Sequence, residues 1–470
     1  MIFQSYDYLI LLAVVFAAYW LMPRMGQNLL LLGASYVFYA FVHPWLAVLL
    51  FSYTLVNYLA ARGVRSYPRH SGKIVLVAVA SSLAVLGIFK YLGFFVENVT
   101  ELMSSVGISS DPVILEILLP AGISFYTFQT LAYVIDVHQG RIEPRSNFIN
   151  VALFISFFPQ LVAGPIERAS RLLPQFERRR SFDPDEVRDG VYLIVWGFFK
   201  KLVVADNVAV VANKVFALQE PSVPLLTVGV LAFGIQILAD FSGYTDIARG
   251  TAKVLGIRLS RNFNNPHLAT SPTDFWRRWH ISLSTWFRDY VYIPLGGSRG
   301  GVRKNATVLM VTFLLTGLWH GAAWNFILWG GYHGLLILIT RGFRGRTGGT
   351  GVMSGVLGVI VTFIAINIGW LLFRAGDLGI VWNSFSGELN NTADGGLRVT
   401  AFLFFQVLLY SLPLWAHPVY QKTRESRWAS SGLPASLIRT PFRTAAATML
   451  FLSILVMRSQ VSADFIYFQF

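Results

Sequence analysis

Residues 1–23 read MIFQSYDYLILLAVVFAAYWLMP. From Tyr8 to Pro23 the run holds no charged side chain, and it is long enough for an apolar helix to cross most of a bilayer. It has no basic segment before the apolar run and no small-residue cleavage site, so the reading is a first membrane span over 6–22 rather than a removed leader.

The whole chain has the same character. Of 470 residues, 54% are hydrophobic and 13% are charged, against about a quarter charged in a soluble domain. So little charge cannot clothe a water-facing surface of this length, whereas hydrocarbon solvates apolar side chains. The net charge of +14 would suit nucleic acid, but the Lys and Arg fall in short segments between apolar runs. That is the pattern of loops facing anionic lipid, so the expected partner is the bilayer and not nucleic acid. The absence of cysteine excludes disulfides, thiolate metal sites, a Cys acyl-intermediate and a Cys lipid anchor.

About twelve apolar runs are candidate spans, near 6–22, 28–42, 45–61, 74–96, 118–138, 190–206, 223–243, 305–319, 320–340, 352–373, 399–415 and 445–461. The 305–340 pair reads either as one broken helix or as a hairpin. With the spans alternating, the loops rich in Arg and Lys after 22, 61, 138, 243, 340 and 415, and that before 190, share one side. Glu97, Glu101, Asp111, Glu220, Asp377, Glu388 and Asp394 take the other. The positive-inside rule then puts the basic loops in the cytoplasm and both termini outside. The expectation is an all-α, multi-pass protein forming a single domain over 1–470, without internal repeat.

Two stretches depart from simple spanning. Residues 150–166, NVALFISFFPQLVAGPI, are apolar but interrupted at Phe157-Phe158-Pro159 and Gly164-Pro165. Proline removes a backbone donor, and both flanks are basic, so the stretch reads as a re-entrant element whose backbone must be satisfied by protein or water. Residues 240–304 are too polar to span repeatedly and read as helices at the cytoplasmic interface.

Three clusters can carry chemistry. His320, in LLTGLWHGAAWN (314–325), is flanked by apolar sequence, and an ionisable residue at such depth is a functional candidate. Gly317 and Gly321 bracket it, Trp319 and Trp324 can wall an apolar slot, and a neutral imidazole can take a proton from a hydroxyl. The plainer reading is a histidine hydrogen-bonded between packed helices. His280, in DFWRRWHISLSTWFRDY (274–290), would share a helix face with Trp276 and Ser284, with Arg277, Arg288 and Asp289 near it. The plainer reading is an interfacial helix anchored by Trp and Arg. In LADFSGYTDIARG (238–250), Asp240 and Asp246 can form an acid–base pair beside Tyr244, or simply cap and pair ions. No P-loop or HExxH motif is present, and no cluster argues for a metal.

The pieces FWRRWHISLSTWFRDYVYIPLGG (275–297) and GLWHG (317–321) resemble the membrane-bound O-acyltransferases, and more narrowly their bacterial alginate O-acetyltransferase branch. ASYVFYAF (34–41), GISFYTFQTLAYVIDV (122–137), FFPQLVAGPI (157–166), DFSGYTDIARG (240–250) and GWLLFRA (369–375) match in family order. The resemblance implies a helical membrane enzyme whose spans ring a central funnel, with the family's two histidines at His320 and His280. It implies a cytoplasmic acyl donor, acetyl-CoA, used as substrate with no bound cofactor. It also implies transfer toward an outer acceptor for exopolysaccharide O-acetylation, completed by secreted acetyltransferase partner proteins. One departure is visible: His267 follows Pro266, where the family pattern has Tyr.

On this reading His320 is the general base and His280 orients the acyl group. Trp276, Arg277, Ser284, Arg288, Asp240, Tyr244, Trp319 and Trp324 line the substrate path. The rivals are transfer of D-alanine, or of acetyl to peptidoglycan or cellulose; a transporter or polymer-export channel; and a scaffold for secreted partners.

Overall fold

The computed structural model describes residues 1–108, 118–218, 221–346, 355–376, 379–380, 382–383, 394–429, 435–461 and 463–468, with backbone alone for 343–346, 394–395, 419–429, 435–443 and 468. Asp111, Glu220, Asp377 and Glu388, used above to orient the chain, lie outside the described residues. The described residues are helical, with no strand among them.

Among the described residues, five helices are long and apolar enough to cross a membrane: Trp45–Ser66, Pro68–Ser105, Val223–Val254, Gly355–Arg374 and Gly396–Pro418. Three shorter apolar ones are Tyr6–Tyr19, Phe148–Leu161 and Thr444–Met457. Their outer faces are not polar. Ile10, Leu76, Val77, Phe402 and Phe405 are all exposed, which a helix in water avoids and a helix in lipid requires.

The residues form two compact units. One comprises Met1–Val191, Ala248–Ser260 and Gly321–Ala323; the other comprises Tyr192–Ile247, Arg261–His320 and Trp324–Phe470.

In the first unit, the interrupted stretch is two short helices, Phe148–Ser156 and Phe158–Leu161, broken at Phe157 and buried from Asn150 to Leu161. Its backbone is satisfied by side chains from neighbouring helices. The Phe158 N–H donates to Ser35 Oγ at 3.0 Å, and Gln129 Nε2 donates to Phe154 O at 2.5 Å. Gln160 Nε2 donates to Gln129 Oε1 in turn. This is the condition on which irregular backbone is tolerated at membrane depth. Gly122 makes the packing possible: it is left-handed (φ 76°), and a β-carbon there would lie 2.4 Å from Leu161 O.

In the second unit, Gly301–His320 and Trp324–Arg346 form an antiparallel hairpin, which settles the alternatives left open for 305–340. A β-carbon on Gly317 would sit 2.1 Å from Phe326 O, and one on Gly330 2.2 Å from Phe313 O. The two backbones touch because neither position has a side chain.

Two expectations need correction. Residues 240–250 do not begin a separate interfacial helix. They continue the helix Val223–Val254, whose Asp240 and Asp246 are met by Lys201 and Lys200 of the segment 199–205. Nor is 274–290 a continuous helix. It breaks at Trp279–His280.

Candidate active site

The chain winds a short helix over Pro272–Arg278, capped by Ser271 Oγ, which accepts from the Asp274 N–H at 3.2 Å. It then leaves the helix. Trp279 is extended (φ −98°, ψ 130°) and His280 is left-handed (φ 41°, ψ 54°), after which Ile281–Phe287 forms a second helix. A non-glycine residue in this region is costly, and it persists where surroundings over-determine it. They do so here. His280 Nδ1 accepts the Leu283 N–H at 3.2 Å, so the imidazole itself caps the second helix. Asn262 runs alongside the break: its carbonyl accepts the Ile281 N–H at 2.9 Å, and its Oδ1 accepts the Ser282 N–H at 3.1 Å. The expected shared face of Trp276, His280 and Ser284 is therefore absent, because the break turns the chain between them. Ser284 Oγ donates to Trp279 O at 3.2 Å, and Trp276 packs on Phe313 and Trp329.

His280 is fully buried, its ring 4.8 Å from Phe241 and 5.7 Å from Trp319. His320 ends the first arm of the hairpin and is buried too. Three aromatic rings meet its own edge-on, Trp319 at 5.0 Å, Trp329 at 4.9 Å and Phe373 at 5.4 Å. The imidazole faces protein, not lipid. Trp319 touches both histidines.

A second residue does the same. Tyr467, near the chain's end, lies 6.2 Å from the His280 ring, 5.7 Å from His320 and 6.1 Å from Trp319. The C-terminal segment is drawn in by the Ser459 N–H donating to Leu202 O at 3.2 Å, and Phe465 stacks on Tyr244 at 4.2 Å. Sequence reading missed Tyr467, because the few residues after the last apolar run carry no periodicity from which to place them.

Other predicted residues scatter. Trp319 belongs to the cluster, whereas Trp324 is 57% exposed. Arg277 and Arg288 are exposed, and Arg288 pairs with Asp289 at 2.8 Å. Asp240 and Asp246 do not form an acid–base pair: Asp246 binds Lys200 at 2.7 Å, and Asp240 binds Lys201 at 3.0 Å. Both lysines were legible as charges within the 190–206 run and went unused. His333, also missed, is fully buried beside Trp329 at 4.7 Å and Trp276 at 5.2 Å. Its place four residues after Trp329 on an apolar helix is the signal that could have found it. His267 is buried between Phe363 and Trp415, both within 6 Å.

Two buried histidines thus share two aromatic neighbours, Trp319 and Tyr467. The model of the membrane-bound O-acyltransferase family matches residues 141–375, half the chain, with both histidines inside. The chain belongs to this family. It is 36% identical to a probable alginate O-acetylase of Azotobacter vinelandii, with all of both chains covered. To the probable alginate O-acetylase of Pseudomonas aeruginosa it is 39% identical, over 95% of this chain and 89% of that one. To the peptidoglycan O-acetyltransferase of Helicobacter pylori it is 34% identical, over 78% and 75%. As a membrane-bound O-acyltransferase it is an acyl-transferring enzyme of the membrane, and the likeness to the alginate branch extends over the full chain.

Proposed function

We propose that this O-acyltransferase sits as a multi-pass protein in the bacterial cytoplasmic membrane and takes an acetyl group from cytoplasmic acetyl-CoA. It passes the group toward an outer acceptor for O-acetylation of an alginate-like exopolysaccharide, with secreted acetyltransferase partners completing the transfer. The single observation behind the reading is His280 and His320 buried around Trp319 and Tyr467, in a chain that aligns end to end with alginate O-acetylases.

In this reading the two histidines divide the work. His280 Nδ1 accepts the Leu283 N–H, so in the neutral ring the proton resides on Nε2. That nitrogen is a donor, fit to hydrogen-bond the thioester carbonyl oxygen as negative charge grows on it. His320 is then the base. It takes the proton of the attacking hydroxyl as that oxygen bonds to the carbonyl carbon. The carbon–sulfur bond breaks, and the thiolate recovers the proton from His320. The net change is one thioester lost, one ester formed and one free thiol.

Two assays test this. Purified protein with labelled acetyl-CoA should release free CoA in proportion to ester formed. Mass spectrometry of polymer from cells lacking and regaining the enzyme should show acetyl esters that come and go with it. D-alanyl esters, or acetyl found on peptidoglycan alone, would redirect the reading to another branch. Polymer export without any ester would remove it.

A further inference from the structure

The C-terminal segment meets a buried ion cluster whose geometry extends beyond its own charges. Lys201 lies in the π-helical turns Phe199–Ala205, with its side chain 1% exposed. An ammonium carries three N–H donors. Those of Lys201 face Asp206 Oδ1 at 2.9 Å, Asp240 Oδ1 at 3.0 Å and, from the tail, Ala463 O at 2.8 Å. The other oxygen of Asp240 accepts the Ile466 N–H at 2.8 Å. The tail therefore supplies both an acceptor and a donor to the cluster.

The charge balance explains why a tail is wanted. Two carboxylates around one ammonium leave excess negative charge in a dry setting, and each buried ion costs several kcal/mol unless its remaining capacity is met. The Ile466 N–H meets part of it. Ala463 and Ile466 are three residues apart, so both ends of one short segment are fastened. Phe465 lies between them and stacks on Tyr244, one helical turn from Asp240. Tyr467 follows directly, 4.5 Å from Phe241, and this puts its ring next to both histidines.

We propose that Lys201, with Asp206 and Asp240, is a positioning cluster that fastens the C-terminal segment 463–467 across His280 and His320, making that segment a working part of the acyl-transfer site. The proposal rests on the acyl-transfer reading for its consequence, but the fastening itself is read independently of chemistry.

The cysteine-free chain is a ready background for the test. Ile466 is fully buried, so Ile466→Cys in the full-length protein gives one protected thiol. Labelling of the purified protein by a maleimide should be slow. Adding Lys201→Met should raise the labelling rate at least about tenfold as the tail gains open states, and lower acyl transfer by a similar factor. Asp240→Asn keeps an oxygen for the Ile466 N–H and should fall between the two. A chain ending at Arg458 keeps the cluster and should elute as a folded protein without acyl transfer. Unchanged labelling in the Lys201→Met background, or full transfer by the shortened chain, would overturn the proposal. If Lys201→Met does not elute as a folded species, the shortened chain and Asp240→Asn decide. Should His320→Ala transfer acetyl at the parent rate, the acyl-transfer reading fails, and the labelling result still reports whether the tail is fastened.

Discussion

His320 ends a regular helix, whereas His280 sits in a break between two short ones. The first is placed by packing: Gly317 and Gly330 let two helix backbones touch, and the imidazole at the helix end falls where that crossing puts it. The second is placed by its own backbone: a left-handed residue caps the helix that follows, and Asn262 satisfies the strand of chain at the break. The same ring thus reaches one site by tertiary contact and by local strain. Substitutions at the two should fail in different ways.

The largest effect is expected at the crossing. Gly317→Ala puts a methyl 2.1 Å from a backbone oxygen that no side-chain rotation can clear, at a cost of about 3 kcal/mol or more. Yield of monodisperse protein in detergent should collapse. A variant as heat-stable as the parent would mean that the hairpin does not cross there.

Next comes chemistry with the fold preserved. His320→Ala should elute as the parent does and lose about 10²- to 10⁴-fold in the rate of acetyl transfer, the span typical of a missing proton-transfer group. Parent-level ester formation would remove His320 from the reaction.

At His280 the comparison can be sharpened. His280→Ala loses the cap and keeps an unfavourable φ, costing about 1–3 kcal/mol. Asn tolerates the left-handed region and caps helices well, so His280→Asn should recover most of the melting temperature while acetyl transfer stays low. If the Asn variant recovers both together, His280 is structural only. The smallest effect is expected at Trp324, which is mostly exposed: Trp324→Ala should change stability by no more than about 0.5 kcal/mol and leave transfer near the parent rate.

Much of this was legible before any coordinates. The apolar runs gave the helices, since lipid demands length and hydropathy of each segment by itself. Phe157-Phe158-Pro159 announced a broken, protein-buried element, because proline acts on its own peptide bond. His320 stood out as an ionisable group in an apolar run. The Trp276–His280–Ser284 face was misread, since helical spacing assumes an unbroken helix, and the left-handed turn at His280 depends on Asn262 some twenty residues away. Asp240 and Asp246 looked like a pair because they are near in sequence, but each has its own lysine across a helix crossing where Gly197 faces Gly243.

What the sequence determined, then, is whatever a segment owes to its own composition: an all-helical membrane protein, where its apolar helices lie and which histidines are costly enough to need a reason. What only the tertiary structure decided is company. Tyr467 lies 147 residues beyond His320 along the chain and 5.7 Å from it in space. Lys201 meets the carbonyl of Ala463, 262 residues on. Such contacts arise from packing of many helices at once, and no local pattern encodes them.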